Sequence, residues 1–336
     1  MTRTFRPLRI GSVTVDFPVV LAALAGYSDR PFRLICRSLG AGFAATEVML
    51  DKQVVSEGKI QRRLARLDDA DHPLAGQIMG SEPEVMARAA AVLSGMGFDV
   101  IDLNFACPVR KVVARKRGGF LMSEPERVLE IVRAVRDAVP GKPVTLKLRR
   151  AFRETDRTRE AFWRISRGAF ELGAAALAVH TRSVDQKYAG PDDREFLAQV
   201  KREFSGRTII GSGDVLQPAD ALRMLDETGV DGVLAARGAI GNPWFFRQVR
   251  DLAEGRDGLP PTLEEQGAVI KRHYELACET YGPKRASFTM RNFGIRYARM
   301  HPHPGKARQA CLAIKNDKDW RSFLAEWYGT NIGEPS

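Results

Sequence analysis

The stretch IDLNFACPVRKV, residues 101–112, runs from an apolar segment into Asn104, Cys107, Pro108 and Lys111. A short apolar run of this kind reads as a buried strand, and Pro108 stops its ladder from continuing. Asn104 and Cys107 then fall at or just beyond the strand's C-terminal end, where a parallel α/β barrel does its chemistry. Alone, Cys107 reads as a buried cysteine before a turn. The other groups along the chain give it chemical company.

Short β-branched or apolar runs recur at VVLAAL (19–24), FAATEV (43–48), LAGQIMG (74–80), VIDLNF (100–105), VTLKLRR (144–150), ALAVHTR (176–182), RTIIGSG (207–213) and GVLAARG (232–238). Between them lie helical patterns such as EPEVMARAAAVLSGMG and EPERVLEIVRAVRDAV, opened by acidic residues and proline. Eight strand–helix alternations predict an α/β fold, a (β/α)8 TIM barrel. A doubly wound sheet would need a glycine-rich phosphate turn after its first strand, and AGYSDRPF is not one. The preceding FRPLRIGSVTVDFP reads as a hairpin plugging the barrel's N-terminal face.

Each strand delivers a different group to the barrel mouth. The first ends in the small run Ala23, Leu24, Ala25 and Gly26, which lets a flat ring approach the backbone. Then follow Glu47, Gln77, Asn104 with Cys107, Lys147, and His180 with Arg182. The last two strands end in the glycine turns IIGSGDV and GVLAARGAIGNPW, where many barrels hold a phosphate on backbone N–H groups, with Arg237 as a charged clamp. Small residues against a ring, an amide, a cation and a phosphate cradle together match flavin mononucleotide, with Lys147 beside the N1/O2 edge. Lys147 reads alternatively as a strand lysine reaching solvent, and His180 as a core histidine.

Lys and Arg total 52 against 41 Asp and Glu, a net charge of +11 and a pI near 9.7. That balance favours a polyanion, most simply nucleic acid. Cys36, Cys107, Cys278 and Cys311 are scattered without a CxxC pair, which argues against a zinc site or disulfide framework and suits a reducing cytoplasm. No metal is expected. The start lacks a signal-peptide core, and no apolar run reaches the roughly 18 residues of a membrane span. The expected organisation is a catalytic barrel over 1–252, a Gly/Pro-rich connection near 253–262, and a helical RNA-binding domain over 262–330, with helices at about 262–281, 284–299, 304–316 and 318–328.

At these residues the chain resembles the tRNA-dihydrouridine synthase family. LAALAGYSDRPFR (21–33) is similar to that family's L-A-P-M-A-G-x-T-D-x-x-F-R, AGQIMGSEPEVMARAA (75–90) to its Q-I-x-G-S segment, and IDLNFACPVRKV to its D-I-N-x-G-C-P-x-x-K-V. KLR (147–149), VHTRSVDQKYAGPDD (179–193), GSGDV (211–215) and ARGAIGNPWFF (236–246) match further motifs in order. The resemblance implies a flavoenzyme with a barrel and a C-terminal helical domain. It places the general acid on Cys107 and flavin contacts on Ala23, Leu24, Ala25, Gln77, Lys147, His180, Ser212, Gly213, Asp214, Ala236 and Arg237. Asn104, Lys111 and Arg182 fall to the substrate side. Departures include Phe105-Ala106 before the cysteine, KRGGFLM (116–122) after it, Ser212 for Asn and Ala236 for Gly. The segment after Cys107 is expected to lie against RNA.

The implied reaction reduces the uracil C5–C6 bond, with hydride from FMN to C6 and a proton from Cys107 to C5. An ordinary thiol is mostly protonated at neutral pH and suits that task. NADPH is the expected reductant, tRNA the expected partner with ribosomal RNA as the alternative, and a cytoplasmic monomer the expected form. Two rival readings remain: a flavin reductase of a free pyrimidine or small enone, and a non-catalytic RNA-binding barrel.

Overall fold

The computed structural model describes residues 4–56, 58 and 67–331; residues 1–3, 57 and 59–66 of the expected 1–252 unit lie outside the described residues. The chain opens with an antiparallel hairpin of β1 (Leu8–Ile10) and β2 (Val13–Val15). Eight parallel strands follow: β3 (Val19–Leu21), β4 (Ala44–Ala45), β6 (Leu74–Met79), β7 (Val100–Asn104), β8 (Val144–Arg149), β9 (Ala176–His180), β10 (Thr208–Ser212) and β11 (Gly232–Ala235). β11 pairs back with β3, closing the expected barrel, while the short β5 (Met49–Leu50) flanks β6 outside the ring.

Every strand is shorter than its apolar run, and β3 and β4 keep only three and two residues. β3 stops at Leu21 because the chain turns on Leu24, whose carbonyl accepts the Tyr27 and Ser28 N–H groups. β4 stops at Ala45 because Thr46 turns its hydroxyl to the Gln77 N–H, and Glu47 accepts the Gly26 N–H.

Alternation sorts side chains between two cores. Inward-facing Val20, Ala45, Ala75, Val100, Ala176 and Ile210 pack with Leu8, Ile10 and Val15, so the hairpin does plug the N-terminal end. Outward-facing residues meet the helices. The helix Pro125–Ala138, for example, starts with proline and buries Val128, Ile131, Val132 and Val135, one stripe at helical spacing.

Beyond residue 262 the described chain is helical: Leu263–Tyr281, Pro283–Tyr297, Pro304–Ala313 and Asp317–Tyr328. Thr262 and Glu265 form a capping box that starts the first of these. Buried Trp320 stacks on Tyr274 and donates its indole N–H to the Ser287 carbonyl. The apolar core runs unbroken into the barrel. Phe293 meets Tyr27 at 5.4 Å, Phe32 at 5.2 Å and His273 at 4.5 Å between ring centroids. Tyr281 donates its hydroxyl to Asp29, which caps the barrel helix Arg30–Ser38. Truncating Phe293 to alanine is expected to cost about 3–5 kcal/mol, read by chemical denaturation; a loss under about 1 kcal/mol would show that this aromatic junction contributes little.

Candidate active site

Parallel register sets the mouth. Gln77 pairs with Asp102, Asp102 with Thr145, Asn104 with Lys147, and Arg149 and Ser212 each with His180. Residues two apart on one strand share a face, so polar groups rise in layers above the apolar floor. They line a cavity of about 410 Å3 with Ala23, Leu24, Ala25, Cys107, Tyr188, Gly213, Ala236 and Arg237.

Asp102 lies at the bottom of this polar layer, buried inside the barrel. Its carboxylate accepts from Gln77 Nε2 at 2.6 Å and from Thr145 Oγ1 at 2.7 Å. Burial pushes the Asp102 carboxyl up, against those two donors and the Lys147 ammonium. With its amide so oriented, Gln77 offers Oε1 to Asn104 Nδ2 at 2.7 Å. Asn104 in turn presents Oδ1 to the N–H groups of Ala106 and Cys107, each at 3.0 Å. A buried carboxylate thus fixes the loop that carries the thiol. Replacing Asp102 by leucine leaves the Gln77 amide and Thr145 hydroxyl without their acceptor, an expected loss of about 2–5 kcal/mol in denaturation. Wild-type stability in that variant would remove the carboxylate from this role.

The segment after Cys107 backs this loop. Gly119 N–H donates to the Cys107 carbonyl at 3.0 Å. Gly118 has φ +55°, and a Cβ there would stand 3.0 Å from the Cys107 Cβ. Both glycines are buried, whereas Arg115 and Lys116 just before them are exposed.

The rim is strongly basic. Lys147 is half-buried and lines the cavity, and burial, with Arg149 beside it, pulls its ammonium down to about 7. Arg149 donates to the carbonyls of Ala106 at 2.9 Å, Ser183 at 2.8 Å and Lys187 at 2.9 Å, tying together the loops after β7 and β9. Buried His180 accepts the Arg182 N–H on Nδ1 at 3.2 Å. Burial and then the surrounding cations push its imidazole down to about 2, so it stays neutral with Nε2–H as a donor. Its ring thus has a satisfied nitrogen and also lines the cavity.

Asp214 accepts from Arg182 Nη1 and Arg237 Nη2, each at 2.9 Å, and the Arg237 guanidinium sits 4.6 Å from the Tyr188 ring centroid. Past β11, Ala239, Ile240 and Asn242 donate to carbonyls within the loop, while the N–H groups of Ala236, Arg237 and Gly238 have no acceptor among the described residues. A Cβ on Gly238 would strike the carbonyl oxygens of Val215 and Leu216 at 2.7 and 2.9 Å, so only glycine lets these two loops meet. Successive open N–H groups beside a guanidinium form an anion cradle. With Lys147 and the small run at Ala23–Ala25, they supply the donors that a flavin phosphate and ring edge require.

Of the residues singled out in the sequence, Gly26, Glu47, Lys111, Arg182 and Asp214 lie outside the cavity lining. Lys111 is exposed on the short helix Arg110–Val113, and Arg182 is buried in its pair with Asp214. Asp102, Thr145, Arg149 and Tyr188 join the site without having been assigned to it. For Arg149 a signal existed: it stands two residues after Lys147, on the same strand face. Among the described residues no group of His, Cys, Asp or Glu forms a metal site, and no helix is long and apolar enough to cross a membrane.

The fold and site define a (β/α)8 barrel with a basic, amide-lined mouth suited to a planar anionic ligand. Solved structures of similar fold include a morphinone reductase, with a TM-score of 0.58 at 17% identity over 75% of this chain and 92% of that one, and a histamine dehydrogenase from Rhizobium sp. 4-9, at 0.58 and 16% over 81% and 51%. The family model described as dihydrouridine synthase matches residues 20–326. Among curated relatives, a probable tRNA-dihydrouridine synthase of Treponema pallidum is 36% identical over 88% of both chains. A tRNA-dihydrouridine synthase B of Xanthomonas axonopodis pv. citri is 36% identical over 90% of both, and one of Pseudomonas aeruginosa 34% over 88% and 85%. The chain belongs to the dihydrouridine synthase family.

Lys147 gives the fold a signed pH dependence. Its pKa is about 7 in the fold and about 10.4 for an ordinary unfolded lysine. Between these values the unfolded chain keeps a proton that the folded chain has released, so stability rises with pH across that window and the full penalty applies below it. Lys147→Met is therefore expected to stabilise flavin-free protein most at pH 6, with the advantage shrinking by pH 9 in thermal melts. An advantage equal at both pH values would contradict this.

Proposed function

We propose that the protein is a tRNA-dihydrouridine synthase that uses FMN and NADPH in the cytoplasm to reduce the C5–C6 bond of a uridine. The observation that carries this reading is the placement of Cys107 and Asn104 in the same cavity as Lys147, His180 and the open N–H groups after β11. The relatives' names and the charge of +11 support RNA as the substrate. A free pyrimidine would need neither that charge nor the basic C-terminal helices.

FMN, when bound, supplies a hydride to uracil C6 and is restored by NADPH. The protein's own part is acid catalysis and orientation. Cys107 gives its thiol proton to C5 and regains one from solvent, closing the proton balance. Asn104 accepts the N–H groups of Ala106 and Cys107, so the thiol is presented without a search over loop conformations. The Lys147 ammonium would hold negative charge on the cofactor, and that binding would raise the fraction of Lys147 charged at pH 7. Neutral His180 offers Nε2–H to a carbonyl oxygen of the pyrimidine. The target uridine must leave its stack to enter, a cost of a few kcal/mol that Lys and Arg contacts to phosphates offset.

Cys107→Ala is expected to keep FMN content and tRNA affinity, and to lose at least about 100-fold in single-turnover dihydrouridine formation. Anaerobic mixing of the reduced protein with tRNA, followed by nucleoside mass spectrometry, measures this. Wild-type turnover in the alanine variant would remove Cys107 from the acid role.

A further inference from the structure

A second, larger cavity of about 730 Å3 opens between the loop after β11 and the end of the helix Pro283–Tyr297. Tyr27, Arg237 and Ile240 line both cavities, so the second continues the first. Its charge is one-sided. Arg237, Arg296 and Arg299 line it and no carboxylate does. Arg237 shares Asp214 with Arg182, whereas half-buried Arg296 and exposed Arg299 have no hydrogen-bond or ion-pair partner among the described residues. A partly desolvated guanidinium carries five donors and no acceptor of its own, so it calls for an anion.

Two further observations mark this as a built site. Gly241 has φ +82°, and a Cβ there would lie 2.6–2.7 Å from the Arg296 Cβ, carbonyl carbon and carbonyl oxygen. Glycine alone lets the barrel loop press against the helix and bring Arg296 to the cavity. Asn242, also on the wall, donates Nδ2 to Gln248 Oε1 at 2.8 Å, and its buried Oδ1 has no partner. That oxygen needs a donor, which a guanidinium-bound phosphate lacks and a sugar hydroxyl supplies.

We infer that this cavity is a nucleotide-phosphate subsite, in which Arg296 and Arg299 hold a phosphate ester and Asn242 accepts from a ribose hydroxyl. The inference rests on the functional reading above. The phosphate ester comes either from the RNA backbone next to the reacting uridine or from the nicotinamide dinucleotide, and the chemistry of recognition is the same.

The test uses FMN-loaded protein carrying Arg296→Gln with Arg299→Gln, beside a control with Arg296→Lys and Arg299→Lys. Three quantities are read: flavin absorbance per chain, affinity for a tRNA transcript across a salt series, and anaerobic flavin reduction against NADPH concentration. If the RNA backbone is the ligand, the glutamine pair keeps its flavin and binds tRNA about 10-fold more weakly, with the log–log salt slope shallower by about 1.4–1.8. If the dinucleotide is the ligand, half-saturating NADPH rises about 10-fold at unchanged tRNA affinity. In either case the lysine pair recovers much of the loss. Tight superposition of both curves on wild type overturns the subsite, and so does loss of flavin in the glutamine pair, which would assign the cavity to the flavin cradle. A wild-type protein that neither binds tRNA nor takes electrons from NADPH overturns the functional reading and the subsite together.

Discussion

One carboxylate buried in the barrel, Asp102, organises the chemistry above it. An ionisable oxygen pair in that position must be met by donors or the fold is penalised by several kcal/mol. Thr145 and Gln77 meet it from the two neighbouring strands, and doing so settles which way the Gln77 amide faces. The orientation then passes through Asn104 to the backbone of Cys107. The electrostatic demand of one residue deep in the core thus becomes a fixed position for a thiol at the surface of the cavity. Gly118 and Gly119 close the far side, where any larger residue would push against the same loop.

Around this relay the barrel concentrates positive charge that its own acids only partly neutralise. Asp214 takes up Arg182 and Arg237, and Arg149 is spent on three carbonyls. Lys147 is left with its charge suppressed by burial, and His180 is held neutral by burial and then by the cations beside it. An anionic ring and a phosphate would restore the ammonium and meet the open N–H groups of Ala236, Arg237 and Gly238.

The barrel was legible because its eight apolar runs and the helices between them follow simple periods, and strand ends are where site residues collect. Gln77, Asn104, Cys107, Lys147 and His180 could be picked from position along their own strands. Asp102 and Thr145 could not be assigned the same way, because their roles come from register between strands some 40 residues apart in sequence, and Tyr188 stands on a loop that the strand pattern does not cover. Arg182, which the resemblance puts on the substrate side, is held by Asp214 on another loop, a pairing that strand position does not encode. The C-terminal helices read correctly as helices from their own pattern. Their aromatic junction with Tyr27 and Phe32, which ties them to the loop carrying Ala23–Ala25, depends on packing between distant segments that no local period encodes.

The central claim is that the thiol-bearing mouth reduces uridine in RNA. Nucleoside mass spectrometry of tRNA from cells with and without this protein, with dihydrouridine mapped by position, tests it most directly. The account predicts loss of dihydrouridine at a defined position in the deleted strain and its return with the wild-type chain. An unchanged map, with purified protein that also leaves a tRNA transcript unreduced, would contradict it.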